Sequence, residues 1–573
     1  MQFPAPPKHK TFQKTVSITE ENCFDGSILA DEPGVFRCLI RKIGNDPELS
    51  EFERKQNYAA RNPGADDLAL EAVLELKSEL PSSDSMRIGI PLSETDGAEN
   101  FTILYSGTKF RLLTENRVLD EDYPFGDPPG TPENPVEIPP EQQAVPQYRT
   151  IPLHCWSPEG LNEWVGDVSV AFLNGEYHMF YLYDRRHHKS KFGRGGHQWA
   201  HIVTEDFRTW RDDGLILPLD AQWQTFGTGT PFLLDGKLAL AYGLHSERFL
   251  PKGAAPRGMT WAISEDGIHF TPAKVSVDDM TDNPSIYNQP DGSWIVYNNG
   301  LLYRAEEWCN FKQIAEKPIP CEENSALLNS YECPSLFEWN GNYFMIVGFT
   351  GMYRSKELSF ETFDDLSGSG IDIYDGLGVP MVAPFKDDRM ILAGWLRISG
   401  WGGVLGVREL VWFDDAVPGI RWLAEAMPEV YDLQEAADTL TFSGEHYFEF
   451  TVQPGENFSV SLEGAGNPIL FSIDHQRKRA TLSTEKECPT LCERGKNWRK
   501  ITVPGFALDH LRNIDKTYKV RMMIRDQRKW NGCIVDVEIA GCRTLIHHFE
   551  GSHPTSCKTG NPGCSFLSGR VGK

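Results

Sequence analysis

The chain has 573 residues, 40% of them hydrophobic and 24% charged, which is enough apolar material for several globular domains. Its formal net charge of -25 argues against nucleic acids and anionic membranes as partners, because polyanions are bound by clustered Lys and Arg. No apolar run approaches the ~18 residues of a membrane span, and residues 1–10 lack the apolar stretch of a signal peptide. We therefore expect a cytoplasmic multidomain protein, or a secreted one if the N-terminus is processed.

The first 120 residues have the pattern of a small β-rich domain. Apolar and polar residues alternate at 68–76 and 86–92, and residues 101–113 resemble a strand pair that turns at Gly107. Residues 121–147 are rich in Pro, Glu, Asp and Gly, which is typical of an extended linker. The linker predicts a domain boundary at about residue 148.

A unit of about 50 residues recurs five times between residues 148 and 433. In the three clearest copies an acid stands five positions before an aromatic residue, and a turn glycine and a second strand follow. These acids are Asp167, Asp282 and Glu332. Repeats of this length built from short strands are typical of propeller blades. The sequence predicts a five-bladed β-propeller with three acids around one central channel.

Strands resume after the propeller. Residues 431–437 are predicted to form a short link with helical character. Six short, turn-bounded and mostly alternating stretches then indicate a β-sandwich: residues 447–452, 458–462, 469–473, 518–524, 533–539 and 543–549. The predicted fold is all-β, with an N-terminal sandwich-like domain (1–120), a linker (121–147), a five-bladed propeller (148–433) and a C-terminal β-sandwich (434–573).

Six short motifs occur in this order within residues 150–550: Trp199-Ala200-His201, Phe226-Gly227-Thr228-Gly229, Glu332-Cys333-Pro334, Asp375-Gly376, Gly394-Trp395 and Arg408-Glu409-Leu410. The order resembles that of glycoside hydrolase family 32, the β-fructofuranosidases such as invertases, inulinases and levanases. Glu332-Cys333-Pro334 matches the family's Glu-Cys-Pro motif. The resemblance implies a five-bladed propeller joined to a C-terminal sandwich, and the N-terminal domain lies outside that pattern.

The resemblance also implies roles for the acids. Glu332 is expected to be the general acid/base and Asp167 the nucleophile, although the family's Asn-Asp-Pro-Asn-Gly frame is replaced here by residues 166–170, Gly-Asp-Val-Ser-Val. The family's Arg-Asp-Pro motif aligns with residues 282–284, so the transition-state stabiliser is either Asp282 or Asn283. One carboxylate must attack the anomeric carbon while a protonated one donates to the leaving oxygen. We therefore expect an ionised Asp167, a neutral Glu332 and a retaining reaction.

Other candidate residues are expected to bind the sugar: Asn283, Trp164, Trp199, His201, Arg185, Thr228, Asp375 and Trp395. Arg185 belongs to a basic, glycine-rich stretch at 184–197. This stretch is expected either to project over the channel mouth, where Arg185, Arg186 or His197 would hydrogen-bond sugar hydroxyls, or to form a solvated surface loop. Its spacing matches no zinc signature, and neither a metal nor a cofactor is expected. The expected partner is a small carbohydrate, and both a monomer and a homodimer stay open.

The preferred hypothesis is an exo-acting glycosidase that cleaves terminal β-fructofuranosyl residues from sucrose or short fructans, with transfer to a sugar acceptor when water is outcompeted. An arabinofuranosidase or another furanosidase on the same fold is an alternative, because the frames around Asp167 and Pro284 depart from the family pattern. A non-catalytic carbohydrate-binding propeller is a second alternative, since Asn283 stands where the family has an acid.

Overall fold

The structure is a computed structural model that describes two parts of the chain. It gives the backbone of eight strands before residue 123, and beyond them it describes residues 146–158, 163–185, 197–219, 224–246, 258–273, 283–298, 300–316, 333–348, 351–367, 371–398, 401–485, 504–527, 532–561 and 563–572, with single positions at 275, 277, 280, 488 and 530. Across these residues, no helix is long and apolar enough to cross a membrane.

The N-terminal region contains two four-stranded antiparallel sheets. Its strands are β1 Phe12–Ser17, β2 Cys23–Ser27, β3 Val35–Lys42, β4 Leu70–Lys77, β5 Ser85–Ile90, β6 Asn100–Ser106, β7 Lys109–Thr114 and β8 Arg117–Asp122. The strand order is β1-β6-β7-β8 in one sheet and β2-β3-β4-β5 in the other, and β5 contacts β8.

Five antiparallel units follow, after strand β9 Gln147–Arg149. Unit 1 contains β10 Glu163–Leu173, β11 Glu176–Arg185, β12 Gln198–Thr204 and β13 Trp210–Leu217. Unit 2 contains β14 Gln224–Leu234, β15 Lys237–Ser246, β16 Gly258–Ser264 and β17 Phe270–Pro272, and unit 3 contains β18 Ser285–Asn288, β19 Trp294–Asn298, β20 Leu301–Ala305 and β21 Lys312–Glu316. Unit 4 contains β22 Pro334–Trp339, β23 Asn342–Val347, β24 Gly351–Ser355 and β25 Asp364–Asp365, and unit 5 contains β26 Gly378–Phe385, β27 Arg389–Arg397, β28 Gly403–Val411 and β29 Gly419–Trp422. Two 3-10 turns lie at Lys386–Asp388 and Ala424–Ala426.

The first strands of the five units contact one another in cyclic order. Strand β10 contacts β14, β14 contacts β18, β18 contacts β22, β22 contacts β26, and β26 contacts β10 again. Val165 also pairs with Gly403, so units 5 and 1 share one nine-stranded sheet, with β9 on its outer edge. This order, with the first strand of each unit innermost, is that of a five-bladed propeller.

Two six-stranded sheets form the C-terminal sandwich. Their strands are β30 Val430–Ala437, β31 Thr439–Thr441, β32 His446–Val452, β33 Phe458–Ala465, β34 Ile469–Asp474, β35 Arg479–Ser483, β36 Gly505–Leu508, β37 Tyr518–Asp526, β38 Gly532–Ile539, β39 Arg543–Glu550, β40 His553–Thr559 and β41 Ser565–Val571. The sheet orders are β30-β41-β32-β37-β38-β39 and β31-β40-β33-β34-β35-β36. Alternating side chains of both sheets, such as Phe450, Val460 and Phe471, fill one hydrophobic core. The predicted all-β fold of propeller and sandwich is confirmed.

The link expected at residues 431–437 is a strand rather than a helical segment. Strand β30 pairs with β41 from Val430 opposite Val571 to Ala437 opposite Ser565. Most of its side chains are exposed, so pairing with the last strand of the chain, not burial, selects the extended conformation. Since β30 belongs to the sandwich, that sheet begins before the predicted boundary at 433.

A buried polar network joins the propeller to the sandwich. Arg408 Nε donates to Asp375 Oδ2 at 2.9 Å, and Arg408 Nη2 donates to Asp536 Oδ2 at 2.9 Å. His154 Nε2 lies 2.7 Å from the same Asp536 oxygen, and burial lowers the pKa of His154 to about 4. A neutral His154 therefore donates to an ionised Asp536, whose pKa is held below its usual value by Arg408 and His154 despite its burial.

Candidate active site

The first strands of units 1 and 2 carry a β-bulge at the same position. In β10 the register shifts between Val165 and Val168, which places Asp167 in the bulge. In β14 it shifts between Phe226 and Gly229, which places Thr228 in the bulge. Bulges next to active sites commonly re-aim a side chain. Here the two re-aimed side chains meet.

Residues in the left-handed region lie just before the first strands of units 3 and 4. Asn283 has φ 62° and Cys333 has φ 52°, and each directly precedes a proline. A left-handed conformation of a residue other than glycine costs about 1–3 kcal/mol and occurs often at functional sites. The side chains of Asn283 and Cys333 touch, with Cys333 Sγ 3.4 Å from Asn283 Oδ1.

These side chains gather around Asp167 and form what we call the Asp167 cluster: Asp167, Thr228, Asn283, Cys333 and Trp395. Thr228 Oγ1 donates to Asp167 Oδ2, and Trp395 Nε1 donates to Asp167 Oδ1 at 2.9 Å. Cys333 Sγ lies 3.8 Å from Asp167 Oδ2 and 3.4 Å from Thr228 Oγ1. Both carboxylate oxygens thus accept a hydrogen bond, which stabilises the ionised form, and Asp167 is 7% exposed.

An aromatic wall continues from the Asp167 cluster. The rings of Trp395 and Trp401 are 5.4 Å apart, and the rings of Trp401 and His197 stack at 4.6 Å with an angle of 14° between their planes. Trp401 also covers the backbone beside Asp167, since a Cβ added to Gly166 would lie 2.3 Å from Trp401 Cη2. Trp401 is partly exposed. Sequence reasoning did not select it, because it lies between two strands and in none of the family landmarks.

The structural register explains why Cys333 belongs to the Asp167 cluster. Asp167, Thr228 and Cys333 each stand eight positions before the glycine of the first hairpin of their unit, and those glycines are Gly175, Gly236 and Gly341. The comparison of the repeats in the sequence aligned Glu332 with Asp167. In the structure, the residue equivalent to Asp167 is the next one, Cys333. Counting back from the turn glycine would have identified Cys333 from the sequence, in addition to Thr228, which the motifs already select.

The other predicted sugar-binding residues have different surroundings. Trp164 and Trp199 are buried in two separate hydrophobic clusters. His201 is fully buried, stacks on Phe180 at 4.2 Å between ring centres, and pairs with Asp213 at 3.0 Å. These three rings contribute to the packing of the blades. Their contact with a sugar stays a prediction.

Asp375 lies at the junction with the sandwich. Besides Arg408, it accepts a hydrogen bond from Thr544 Oγ1 at 2.8 Å, and its backbone oxygen accepts from Ile546 N at 2.8 Å. It is 2% exposed, so its described contacts join domains rather than line the Asp167 cluster. Asp282, Glu332 and the side chain of Arg185 lie outside the described residues. Within the described ranges, no three His, Cys, Asp or Glu side chains are grouped as a metal site requires.

Residues 160–365 match the family model described as the glycosyl hydrolases family 32 N-terminal domain. This part of the chain is a family 32 domain. The family suggested by the motifs is thereby confirmed. The family 32 domain includes Asp167, Thr228, Asn283 and Cys333, whereas Trp395 lies beyond the matched residues.

Individual proteins agree with the family 32 assignment. A levanbiose-producing levanase of Bacillus subtilis strain 168 is 35% identical over 74 residues, which cover 13% of this chain and 13% of that protein. A levanase of the same description from Geobacillus stearothermophilus is 38% identical over 47 residues, 8% of this chain and 11% of that protein. These matches span only a small part of each relative.

Solved structures resemble the chain over a much larger extent. A family 32 β-fructofuranosidase from Bombyx mori superposes with a TM-score of 0.55 at 15% identity, covering 74% of this chain and 94% of that one. A sucrose-6-phosphate hydrolase from Lactobacillus gasseri gives 0.54 at 13% identity, covering 73% and 94%. At these identities the likeness establishes the fold.

Proposed function

We propose that the chain is a glycoside hydrolase that cleaves terminal β-fructofuranosyl residues from sucrose or short fructans by double displacement. Asp167 is the nucleophile and Glu332 is the general acid/base. The contact between Cys333 and Asp167 is the observation that carries this proposal. Glu332 precedes Cys333 in the sequence, and consecutive Cα atoms are about 3.8 Å apart. The contact therefore supports the proposal that the carboxyl groups of Asp167 and Glu332 flank one sugar ring.

In the first step Asp167 attacks the anomeric carbon while Glu332 gives its proton to the leaving glycosidic oxygen. The products are a fructosyl ester on Asp167, a free alcohol and an ionised Glu332. In the second step Glu332 takes a proton from water, the water oxygen attacks the anomeric carbon, and fructose leaves with retained configuration. A sugar hydroxyl that replaces this water would give fructosyl transfer.

The donors on Asp167 suit a nucleophile in this scheme. Trp395 and Thr228 each bind one carboxylate oxygen and hold the group in a single orientation before attack. A hydrogen bond to each oxygen favours the charged form of this buried carboxylate. The named activities of the relatives, levanases and β-fructofuranosidases, support a fructoside as the substrate class.

Release of monosaccharide from sucrose, inulin, levan and aryl arabinofuranosides tests the proposal. Fructose should appear from at least one fructoside, and both Glu332→Gln and Asp167→Asn should reduce its release by about 10³-fold or more, as expected for the loss of the general acid/base and of the nucleophile. Asp432→Asn is a suitable control because Asp432 is an exposed partner of Arg570 in the sandwich. Release of arabinose alone would favour the alternative furanosidase, and full activity of Glu332→Gln would reject the assigned acid.

A carbohydrate-binding protein without catalysis is a second candidate, and Asn283 is the observation that favours it. Its amide, not a carboxylate, contacts Cys333 in the Asp167 cluster. This candidate predicts that fructose or sucrose raises the melting temperature while no product forms. Activity that appears only in Asn283→Asp would support it, whereas turnover by the unaltered chain would exclude it.

A further inference from the structure

His197 lies beside the Asp167 cluster: its ring stacks on Trp401, whose ring lies against that of Trp395 in the cluster. It is 4% exposed. Its Nε2 lies 3.1 Å from Asp184 Oδ1, and Asp184 is fully buried near the end of β11. A buried carboxylate fixes the plane of a histidine ring through such a hydrogen bond.

The ring of His197 supports the indole of Trp401. The two rings are nearly parallel at 4.6 Å between centres. Trp401 also contacts Trp395 and Gly166. It lies so close to Gly166 that a Cβ at this position would overlap with the indole. Gly166 precedes Asp167, and Trp395 donates to Asp167 Oδ1. Movement of Trp401 would therefore disturb the nucleophile from two sides.

The backbone of His197 reaches the same carboxylate by another route. Its N–H donates to Thr225 Oγ1 at 3.0 Å, and its carbonyl accepts from Phe226 N at 3.1 Å. Both partners lie in β14, directly before the bulge that carries Thr228. His197 thus connects unit 1 to the strand that supplies the second donor to Asp167.

We propose that His197, oriented by Asp184, is a positioning residue that presses Trp401 against Gly166 and so fixes the carboxylate of Asp167 for attack. This inference rests on the proposed function, in which Asp167 is the nucleophile. The side chain of His197 acts through Trp401 and does not contact the substrate.

The test combines kinetics on the accepted fructoside with near-ultraviolet circular dichroism. The difference between the spectra of the unaltered protein and Trp401→Phe defines the signal of Trp401. His197→Ala should lose this signal and lower kcat by about 10-fold or more, since a nucleophile displaced by ~1 Å can cost up to about 100-fold, while KM changes by less than about threefold. His197→Phe retains a ring that can stack, so it should recover most of the signal and of kcat. Asp184→Asn should change both quantities in the same direction as His197→Ala.

His553→Ala is the matched control. His553 pairs with Asp526 at 3.0 Å in the sandwich, and its removal should alter neither the Trp401 signal nor kcat. The proposal is overturned if His197→Ala keeps the Trp401 signal, or if it loses the signal and keeps kcat. If the unaltered protein were inactive on every fructoside, the proposed function would be refuted. The support of Trp401 by His197 would then be tested by the circular dichroism of His197→Ala and His197→Phe alone.

Discussion

Cys333 Sγ lies 3.8 Å from Asp167 Oδ2, although the two residues are 166 positions apart in the sequence. Asp167 belongs to the first strand of unit 1 and Cys333 directly precedes that of unit 4, and these first strands are not neighbours in the cyclic order of contacts. Their contact therefore crosses the space enclosed by the five innermost strands. In the proposed reaction, the sugar ring reaches Asp167 through this space.

Removing the indole donor to Asp167 should weaken catalysis. Trp395→Phe keeps one aromatic ring, removes part of the buried volume and deletes the hydrogen bond at 2.9 Å. Hydrogen bonds to charged groups contribute about 1.5–3 kcal/mol, so kcat/KM on the accepted fructoside should fall roughly 10- to 100-fold. Steady-state kinetics measures this change.

Trp210→Phe is the control, because it removes a buried indole N–H donor that does not contact Asp167 in the described hydrogen bonds. Trp210 Nε1 donates to the backbone oxygen of Ile151 at 2.9 Å, in a buried position on the fourth strand of unit 1. The Trp210→Phe variant should be less stable than the unaltered protein, but its kcat/KM should stay within about twofold of the unaltered value, because packing on an outer strand does not orient the nucleophile. Equal losses of kcat/KM in both variants would mean that Trp395 acts through packing alone.

Much of the fold follows from local patterns in the sequence. Six of the twelve sandwich strands were predicted to within a few residues because their apolar positions alternate and their ends carry turns, as in Phe458–Ala465 and Ile469–Asp474. The conformation of residues 431–437 was missed because it depends on β41, which lies more than 120 positions later in the chain. No local signal encodes such a partner.

The site shows the same division between local and tertiary information. Asp167, Thr228 and Trp395 were selected from motifs, and the structure brings them into direct contact. Trp401 and Asp184 were not selected as site residues, since their relation to Asp167 comes only from how units 1 and 5 pack. Asp375 has a family landmark in its sequence, yet its buried partners are Arg408 and Thr544 from distant strands.

Removing one charge from the buried network between propeller and sandwich should lower the free energy of unfolding. Asp375→Asn leaves the fully buried Arg408 with one of its two carboxylate partners. Breaking a buried ion pair from one side costs about 3–5 kcal/mol of unfolding free energy. Urea unfolding at neutral pH measures the loss.

Asp432→Asn provides the comparison for a surface pair. Asp432 and Arg570 form an ion pair in which both side chains are more than half exposed. Exposed pairs contribute about 0–1 kcal/mol, so this variant should unfold almost like the unaltered protein. If the two variants were equally stable, Asp375 would contribute no more to the interface than a solvated pair does.

At Gly376 the backbone of the propeller domain lies close to the backbone of the sandwich. It has φ 120°, and an added Cβ would lie 2.1 Å from the backbone oxygen of Ile546. Gly444 also has a positive φ, of 69°, but an added Cβ there meets nothing within 4 Å. Gly444→Ala therefore measures the conformational cost alone, about 1 kcal/mol, and Gly376→Ala should cost about 1–3 kcal/mol more through overlap. Equal unfolding free energies for both variants would show that the interface relaxes around the added methyl group.

Stability should fall in mild acid because several histidines are buried in the neutral form. Burial lowers the pKa of His548 to about 4, against its ordinary value of 6.5. Between these two pH values the unfolded chain binds a proton at this site that the folded chain does not, so unfolding becomes easier as the pH falls from 6.5 towards 4, while above 6.5 the site contributes no pH dependence. One proton corresponds to a slope of about 1.4 kcal/mol per pH unit. His548→Asn removes the titrating group, and urea unfolding at a series of pH values from 7.5 to 4.5 should give a slope that is shallower by up to that amount. The same slope in both proteins would show that His548 is protonated equally in the folded and unfolded states, which would contradict its burial as a neutral ring.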